Sequence, residues 1–160
     1  METRIGLGYD LHRLVEGRKL FIGGVEIPYN KGLSGHSDAD CLIHAVCDAL
    51  LGAISEADIG ELFPDTDPRY RGVSSSELLK TVMDLVRKKG YKISNVDTII
   101  IAEEPKMSPF KDQIQESLSK IMGIDKDRVG VKAKTNEGLG ELGRREGVAS
   151  FATVLIQKER

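Results

Sequence analysis

The chain has 160 residues, 40% of them apolar and 30% charged, with a formal net charge of −2. That length fits one domain with its own core, and the near-neutral charge gives no reason to expect nucleic acid or an anionic membrane surface as a partner. No apolar run approaches the roughly 18 residues of a membrane span, and Cys41 and Cys47, about 9 Å apart along one predicted helix, cannot pair with each other, so a reduced, cytoplasmic setting is expected.

Strand-like sequence begins at once, so no targeting peptide is expected ahead of the fold. Thr3 to Asp10 alternates Ile5, Leu7 and Tyr9 with small residues, the pattern of a half-buried strand. It runs into Asp10-Leu11-His12, where side chains two apart in an extended chain project together. Lys19 to Ile22 and Val25 to Ile27, divided by Gly23-Gly24, predict a short hairpin. Lys31 to Gly35 reads as a glycine-rich loop. Glycines gather at 6–8, 23–24, 32–35 and 138–147, which marks tight turns or backbone approaching a ligand.

The stretch from Gly35 to Gly52, GHSDADCLIHAVCDALLG, reads as a helix with core on one side and chemistry on the other. At about 100° per residue, Leu42, Ala45, Val46, Ala49 and Leu50 fall in a buried stripe about 140° wide. Asp40, His44 and Asp48 fall together opposite, one turn apart, two short acids around an imidazole where a solvated face would carry long charges. Ser37 or Asp38 is the candidate N-cap, which gives the first turn free N–H groups and a positive end suited to phosphate.

Asp58 to Pro68 is too rich in breakers for a long element and reads as an ordered loop with at most one helical turn. Ser74-Ser75-Ser76-Glu77 offers a capping box into a helix carrying Leu78, Leu79, Val82, Leu85 and Val86, stopped at Gly90. Ile93 to Ile101 is a strand with an apolar end suited to burial on both faces. Pro109 starts a helix that ends at Met122 before Gly123. Arg128 to Lys134 and Val148 to Gln157 are the last strands. The order predicts an α/β chain of α+β type, a mixed sheet with helices on one face, and sheet edges that favour an oligomer.

His12, His36 and His44 are the only histidines. A lone histidine is commonly structural, but Asp10, His12 and His44 offer two nitrogens and one oxygen, a set that suits zinc and leaves a fourth position open. Asp40 and Asp48 are read as orienting His44. His36-Ser37 either caps the helix or contacts phosphate. Lys106 and Lys134-Thr135 each follow an apolar strand, where ligands collect in such folds. Glu137 is placed to hold a second, harder cation such as Mg²⁺. Arg144-Arg145 alone is explained equally well by a charged loop.

Together these segments resemble the 2-C-methyl-D-erythritol 2,4-cyclodiphosphate synthase family of the non-mevalonate isoprenoid pathway. The resemblance spans nearly the whole chain. It is carried by Gly8-Tyr9-Asp10-Leu11-His12, Gly35-His36-Ser37-Asp38-Ala39-Asp40 with His44, Asp58-Ile59-Gly60, and Phe63-Pro64-Asp65-Thr66-Asp67. Pro105-Lys106-Met107, Lys132-Ala133-Lys134-Thr135 with Glu137, and Gly143-Arg144 through Gly147 complete it. The resemblance implies a homotrimer with active sites between subunits. It implies zinc on Asp10, His12 and His44, and Mg²⁺ or Mn²⁺ on Glu137 with the substrate diphosphate. His36 and Thr135 match positions that stabilise the transition state. Substrate contacts are implied for Asp10, His12, His36, Ser37, Asp58, Ile59, Gly60, Phe63, Pro64, Asp65, Thr66 and Asp67. From the adjacent subunit, Ala102, Pro105, Lys106, Met107, Lys134, Thr135, Asn136 and Glu137 are implied to hold the cytidine end. Arg144 is implied to face the trimer axis, where the family binds an isoprenoid diphosphate. Glu141-Leu142 departs there from the aromatic residue of many relatives.

The implied reaction takes 4-diphosphocytidyl-2-C-methyl-D-erythritol 2-phosphate to the cyclic diphosphate and CMP, with no protein nucleophile. Two other readings compete: a zinc phosphohydrolase, which would release inorganic phosphate, and a binding module with structural zinc, which would need a fourth protein ligand from Cys41 or Cys47.

Overall fold

Thr3–Glu16 forms one long strand, β1, in a computed structural model that describes all 160 residues. After it come β2 (Leu20–Ile22), β3 (Val25–Ile27) and β4 (Lys31–Leu33), and then α1 (Cys41–Ala53), the one-turn α2 (Ile59–Leu62) and α3 (Ser75–Lys88). The chain continues through β5 (Tyr91–Ile101), α4 (Lys111–Met122), β6 (Val129–Lys134), the one-turn α5 (Gly140–Gly143) and β7 (Gly147–Lys158). Five strands pair in the order β4-β1-β7-β5-β6, with only β5 and β6 parallel, and β2-β3 is a separate hairpin. The mixed sheet with helices on one face is as the element order predicts. One core of 35 buried residues joins the sheet to α1, α3 and α4, so no boundary divides the chain.

The predicted stripe of α1 is fully buried, but so are Cys41, Ile43, Cys47 and Leu51 on its other sides. A helix apolar nearly all round lies in the interior, and α1 is wedged between the sheet and α3. It reaches β1 without side chains between them. A Cβ on Gly6 would stand 1.7 Å from the carbonyl oxygen of Ala49, and one on Gly8 1.8 Å from that of Ala45. These two glycines therefore serve neither a turn nor a ligand. They seat a helix.

The apolar row of β1 points the other way from the core. Inward positions are Gly6, Gly8, Asp10 and His12, while Ile5 and Leu7 are 76% and 70% exposed and Tyr9 and Leu11 are about half exposed. β1 also runs further than the pattern predicts, to Glu16, because Lys31–Leu33 pairs with its end as a short edge strand and is not wholly a loop.

The start of α1 differs from expectation too. Its N-cap is Asp40, not Ser37 or Asp38. The buried Asp40 carboxylate accepts from the N–H of Ile43 at 3.1 Å, Gly23 at 2.9 Å and Gly24 at 2.7 Å. It thereby ties the helix to the β2-β3 turn, whose two glycines have φ of 63° and 79°. The positive helix end is thus spent inside the fold and offers nothing to phosphate. Ser74 caps α3 as predicted, but its side chain accepts from Ser76 and Glu77 pairs with Lys80, so the capping box does not close.

Gly8→Ala is expected to destabilise the protein by about 2–3 kcal/mol, an overpacking cost, whereas Gly52→Ala on the open side of α1 should gain up to ~1 kcal/mol of helix propensity. Urea unfolding of both variants checks the pair, and equal stabilities would refute the direct helix–strand contact.

Candidate active site

β1 delivers Asp10 and His12 on its inward face, and α1, seated on Gly6 and Gly8, delivers His44 beside them. Asp10 Oδ2 lies 2.7 Å from His12 Nε2 and 3.0 Å from His44 Nδ1, and the two nitrogens are 3.3 Å apart. These three are the one cluster of His, Cys, Asp or Glu in the chain able to hold a metal ion. Burial works to raise the Asp10 carboxyl, but hydrogen bonds from His12 and His44 prevail and hold it below the ordinary carboxylate range. Burial likewise acts to lower His12, yet the Asp10 carboxylate and the Ser34 carbonyl outweigh it and raise the imidazole above its usual value. His12 Nδ1 donates to Ser34 O at 2.8 Å, which leaves Nε2 for a ligand.

A cavity of about 370 Å³ opens over the cluster. His36, Ser37, Ile59, Gly60, Phe63 and Asp65 line it. Tyr70, Val73 and Leu78 line it too, and nothing in the sequence pattern singled them out. Phe63 and Tyr70 meet edge to face at 5.2 Å between ring centres. His36 Nε2 faces the carbonyl of Asp67 at 3.1 Å, while the Asp67 carboxylate is held by Arg69. Asp58 caps α2, and Pro64 and Thr66 stand outside the cavity wall.

Asp40 and Asp48 do not orient His44. Asp40 is committed to Gly23, Gly24 and Ile43, and burial, partly opposed by those N–H groups, pushes its carboxyl up to about 6. Asp48 accepts from Ile59 N at 2.8 Å and so fixes the α2 loop. Asp48 supports the cavity wall at Ile59, and Asp40 the junction of α1 with the β2-β3 turn. Cys41 and Cys47 are free and buried, and Cys41 Sγ is spent on Ser150 Oγ at 3.2 Å. Neither is a fourth ligand, which removes the structural-zinc reading.

The second half of the expected site lies elsewhere on the same chain. Asp10 pairs with Ser150, Ser150 with Ile100 and Ile100 with Ala133, so Lys134 and Thr135 start three strand spacings, about 14–15 Å, from the cluster. There Glu103 Oε1 accepts from Asn136 N at 2.8 Å and Gly138 N at 3.1 Å, clasping a turn in which Glu137 holds a φ of 53°. Lys106, Lys134, Thr135 and Glu137 are exposed, Pro105 and Asn136 half-buried, and Ala102 and Met107 buried in the core. Arg144 pairs with Glu146 and Glu141, which line a small pocket beside His12.

Fold and site together define an α+β protein with a two-histidine, one-carboxylate candidate metal site in a cleft at the side of a mixed sheet. The chain belongs to the YgbB family, whose model matches residues 3–157. It is 54% identical to the 2-C-methyl-D-erythritol 2,4-cyclodiphosphate synthase of Clostridium acetobutylicum over 96% of this chain and 99% of that one. It is 55% identical to the synthase of the same name from Syntrophotalea carbinolica, over 97% and 94%. Among solved structures, a synthase of this name in a CDP-bound form aligns at a TM-score of 0.89 with 43% identity, over 96% of this chain and all of that one. The bifunctional IspDF of Campylobacter jejuni aligns at 0.94 with 41% identity, over 98% of this chain, which spans 42% of that longer protein.

The raised His12 has a consequence for metal affinity. The imidazole must be neutral to ligate, so protons compete with the metal up to a pH above 6.5, His12's ordinary value. Transition-metal affinity is expected to rise with pH through that point and then level off, as measured by chelator competition across a pH series. A flat profile from pH ~5.5 to ~8 would contradict the assignment of His12 as a ligand.

Proposed function

We propose that this protein converts 4-diphosphocytidyl-2-C-methyl-D-erythritol 2-phosphate to 2-C-methyl-D-erythritol 2,4-cyclodiphosphate and CMP, as a phosphorus–oxygen lyase of isoprenoid precursor biosynthesis, with residues 1–160 as one catalytic domain. The observation that carries this reading is the convergence of Asp10, His12 and His44 in a cleft, in a chain so similar throughout to synthases of that name. Relatives solved with CDP support a cytidine nucleotide as part of the ligand. The cytoplasmic location is part of the same proposal and rests on two buried free thiols.

Zinc is the metal the donor set favours. Bonds of about 2.0–2.1 Å in a tetrahedral site separate ligand atoms by about 3.3 Å, and the triangle of 2.7, 3.0 and 3.3 Å needs only slight opening to match. Glu137 is assigned Mg²⁺ or Mn²⁺ together with the substrate diphosphate. When bound, the two cations neutralise and polarise the phosphoryl oxygens. The 2-phosphate is already anionic, so its oxygen bonds to the β-phosphorus without a protein base, and the bond from that phosphorus to the CMP oxygen breaks with its electron pair on CMP. His36 and Thr135 are assigned to the phosphoryl oxygens in the transition state. Ser37, Asp58 to Gly60 and Phe63 to Asp67 hold the erythritol and phosphates, and Ala102 and Pro105 to Met107 with Lys134 to Glu137 hold the cytidine end. Such positioning of an intramolecular closure is worth up to roughly 7–11 kcal/mol.

A homotrimer joins the two half-sites, which one chain keeps about 14–15 Å apart. Its support is the outward row of Ile5, Leu7, Tyr9 and Leu11 with Phe151, whose ring lies 4.8 Å from Tyr9, an apolar patch of the kind that marks an interface. The isoprenoid diphosphate expected at the axis would meet Arg144, 3.3 Å from Glu146, and its binding would require that pair to open.

Incubation with the cytidine substrate, Mg²⁺ and zinc, followed by phosphorus NMR, should give CMP and a cyclic diphosphate. Release of inorganic phosphate instead would favour the phosphohydrolase. His44→Ala should lose zinc and turnover together, and a metal-free variant with full activity would sink the centre. Leu7→Glu should be monomeric by light scattering, keep its zinc and fall at least ~100-fold in kcat/KM, because a charge is driven into the apolar interface and the halves of the site part.

A further inference from the structure

We propose that Ser75 and Asp38 form a relay that fixes the ring of His44, so that Ser75 is a positioning residue of the metal centre. The inference rests on the reading of Asp10, His12 and His44 as metal ligands and deepens it. His44 presents Nδ1 to the other two donors, at 3.0 Å from Asp10 Oδ2. A ring that binds metal through Nδ1 carries its proton on Nε2, and that nitrogen lies 2.9 Å from Ser75 Oγ. The Ser75 hydroxyl in turn donates to Asp38 Oδ1, and Asp38 Oδ2 accepts the backbone N–H of Ser75 at 3.0 Å.

With a metal on Nδ1 the hydrogen bonds run one way: from His44 to Ser75, and from Ser75 to the Asp38 carboxylate, which can only accept. Ser75 is fully buried in the first turn of α3, so no water can replace its hydroxyl without a cavity forming. The neighbouring Ser37 Oγ is further from the same nitrogen, at 3.3 Å, and already accepts from Ala39 N. The two ligating histidines are thus both held by the nitrogen turned away from the metal. For His12 the holder is the Ser34 carbonyl, which no side-chain substitution removes. For His44 it is a side chain, brought from α3 across 31 positions of sequence. Groups that hold a ligand histidine in this way set its tautomer and orientation, and their loss costs about 10–100-fold in metal affinity.

The test is zinc affinity of the full-length protein by chelator competition, with Co²⁺ absorption as a reporter of ligand geometry. Ser75→Ala should bind zinc about 10–100-fold more weakly and alter the cobalt bands, and Ser75→Thr, which restores the hydroxyl, should return both toward wild type. Wild-type affinity and spectrum in Ser75→Ala overturn the relay. If Ser75→Ala does not fold, Asp38→Asn decides. Weaker zinc binding at an unchanged melting temperature of the metal-free protein supports the relay, and unchanged binding overturns it. A wild-type protein that binds no zinc overturns the metal centre itself, which separates that failure from failure of the relay alone.

Discussion

The contact on which the rest depends is the bare meeting of α1 with β1. Along the strand, inward residues recur every two positions, about 6.6–6.8 Å. Along the helix, a step of four residues advances about 6.0 Å. The two repeats nearly match, so Gly6 lies under Ala49 and Gly8 under Ala45 in antiparallel register. One further step brings Asp10 under the start of the helix, where its partner Ser150 meets Cys41. His44, one position before Ala45, then has no other inward neighbours on β1 than Asp10 and His12. The cluster of Asp10, His12 and His44 is the continuation of a packing seam, and a side chain at either glycine would move all three donors relative to one another.

Asp40, Asp48 and Glu103 each answer a backbone need before a chemical one. Asp40 satisfies three N–H groups at the junction of α1 and the β2-β3 turn, and a buried donor left unpaired costs about 1–3 kcal/mol. Asp48 anchors Ile59, and Glu103 clasps the turn around the positive-φ Glu137. A residue such as Glu137 in that conformation persists only where its surroundings over-determine it. Asp48 thereby holds the cleft wall at Ile59 from outside the cleft.

These roles explain what sequence could and could not convey. The stripe of α1 and the pair Asp10 and His12 follow from periods of 3.6 and 2, and both were legible. Asp40 shares a helical projection with His44, but as N-cap it has ψ of 93° and lies outside the helix, so the projection assigned it the wrong neighbour. Ile5, Leu7 and Tyr9 alternate as a buried row does; period alone cannot say that the core takes the glycine side. Ser75 looked like one of three serines at a helix start, and its partner His44 is set by the packing of α3 on α1, which no local pattern encodes. Tyr70 and Val73 likewise reach the cavity only because the loop after α2 folds back over it.

Charge connects the cleft to the assembly. Its lining holds Asp10 and Asp65 and no lysine or arginine. Arg18 is nearby, but its guanidinium is spent on the carbonyls of Gly35 and Ser37 at 3.2 and 2.8 Å. A substrate carrying three phosphoryl groups would meet net negative charge in such a cleft, and at an effective dielectric of about 20 two unit charges 4 Å apart repel by about 4 kcal/mol. Beyond Arg71, which lines the adjoining pocket with Gly35, His36 and Ser37, positive charge must come from elsewhere. The proposed reading supplies it twice: from the cations assigned to Asp10, His12, His44 and Glu137, and from the exposed Lys106 and Lys134, which on that reading reach the cleft of a neighbouring copy. On that reading metal binding and assembly serve one electrostatic requirement, and an isolated subunit would lack the Glu137 cation and the lysines on the cytidine side even when its own cluster is loaded.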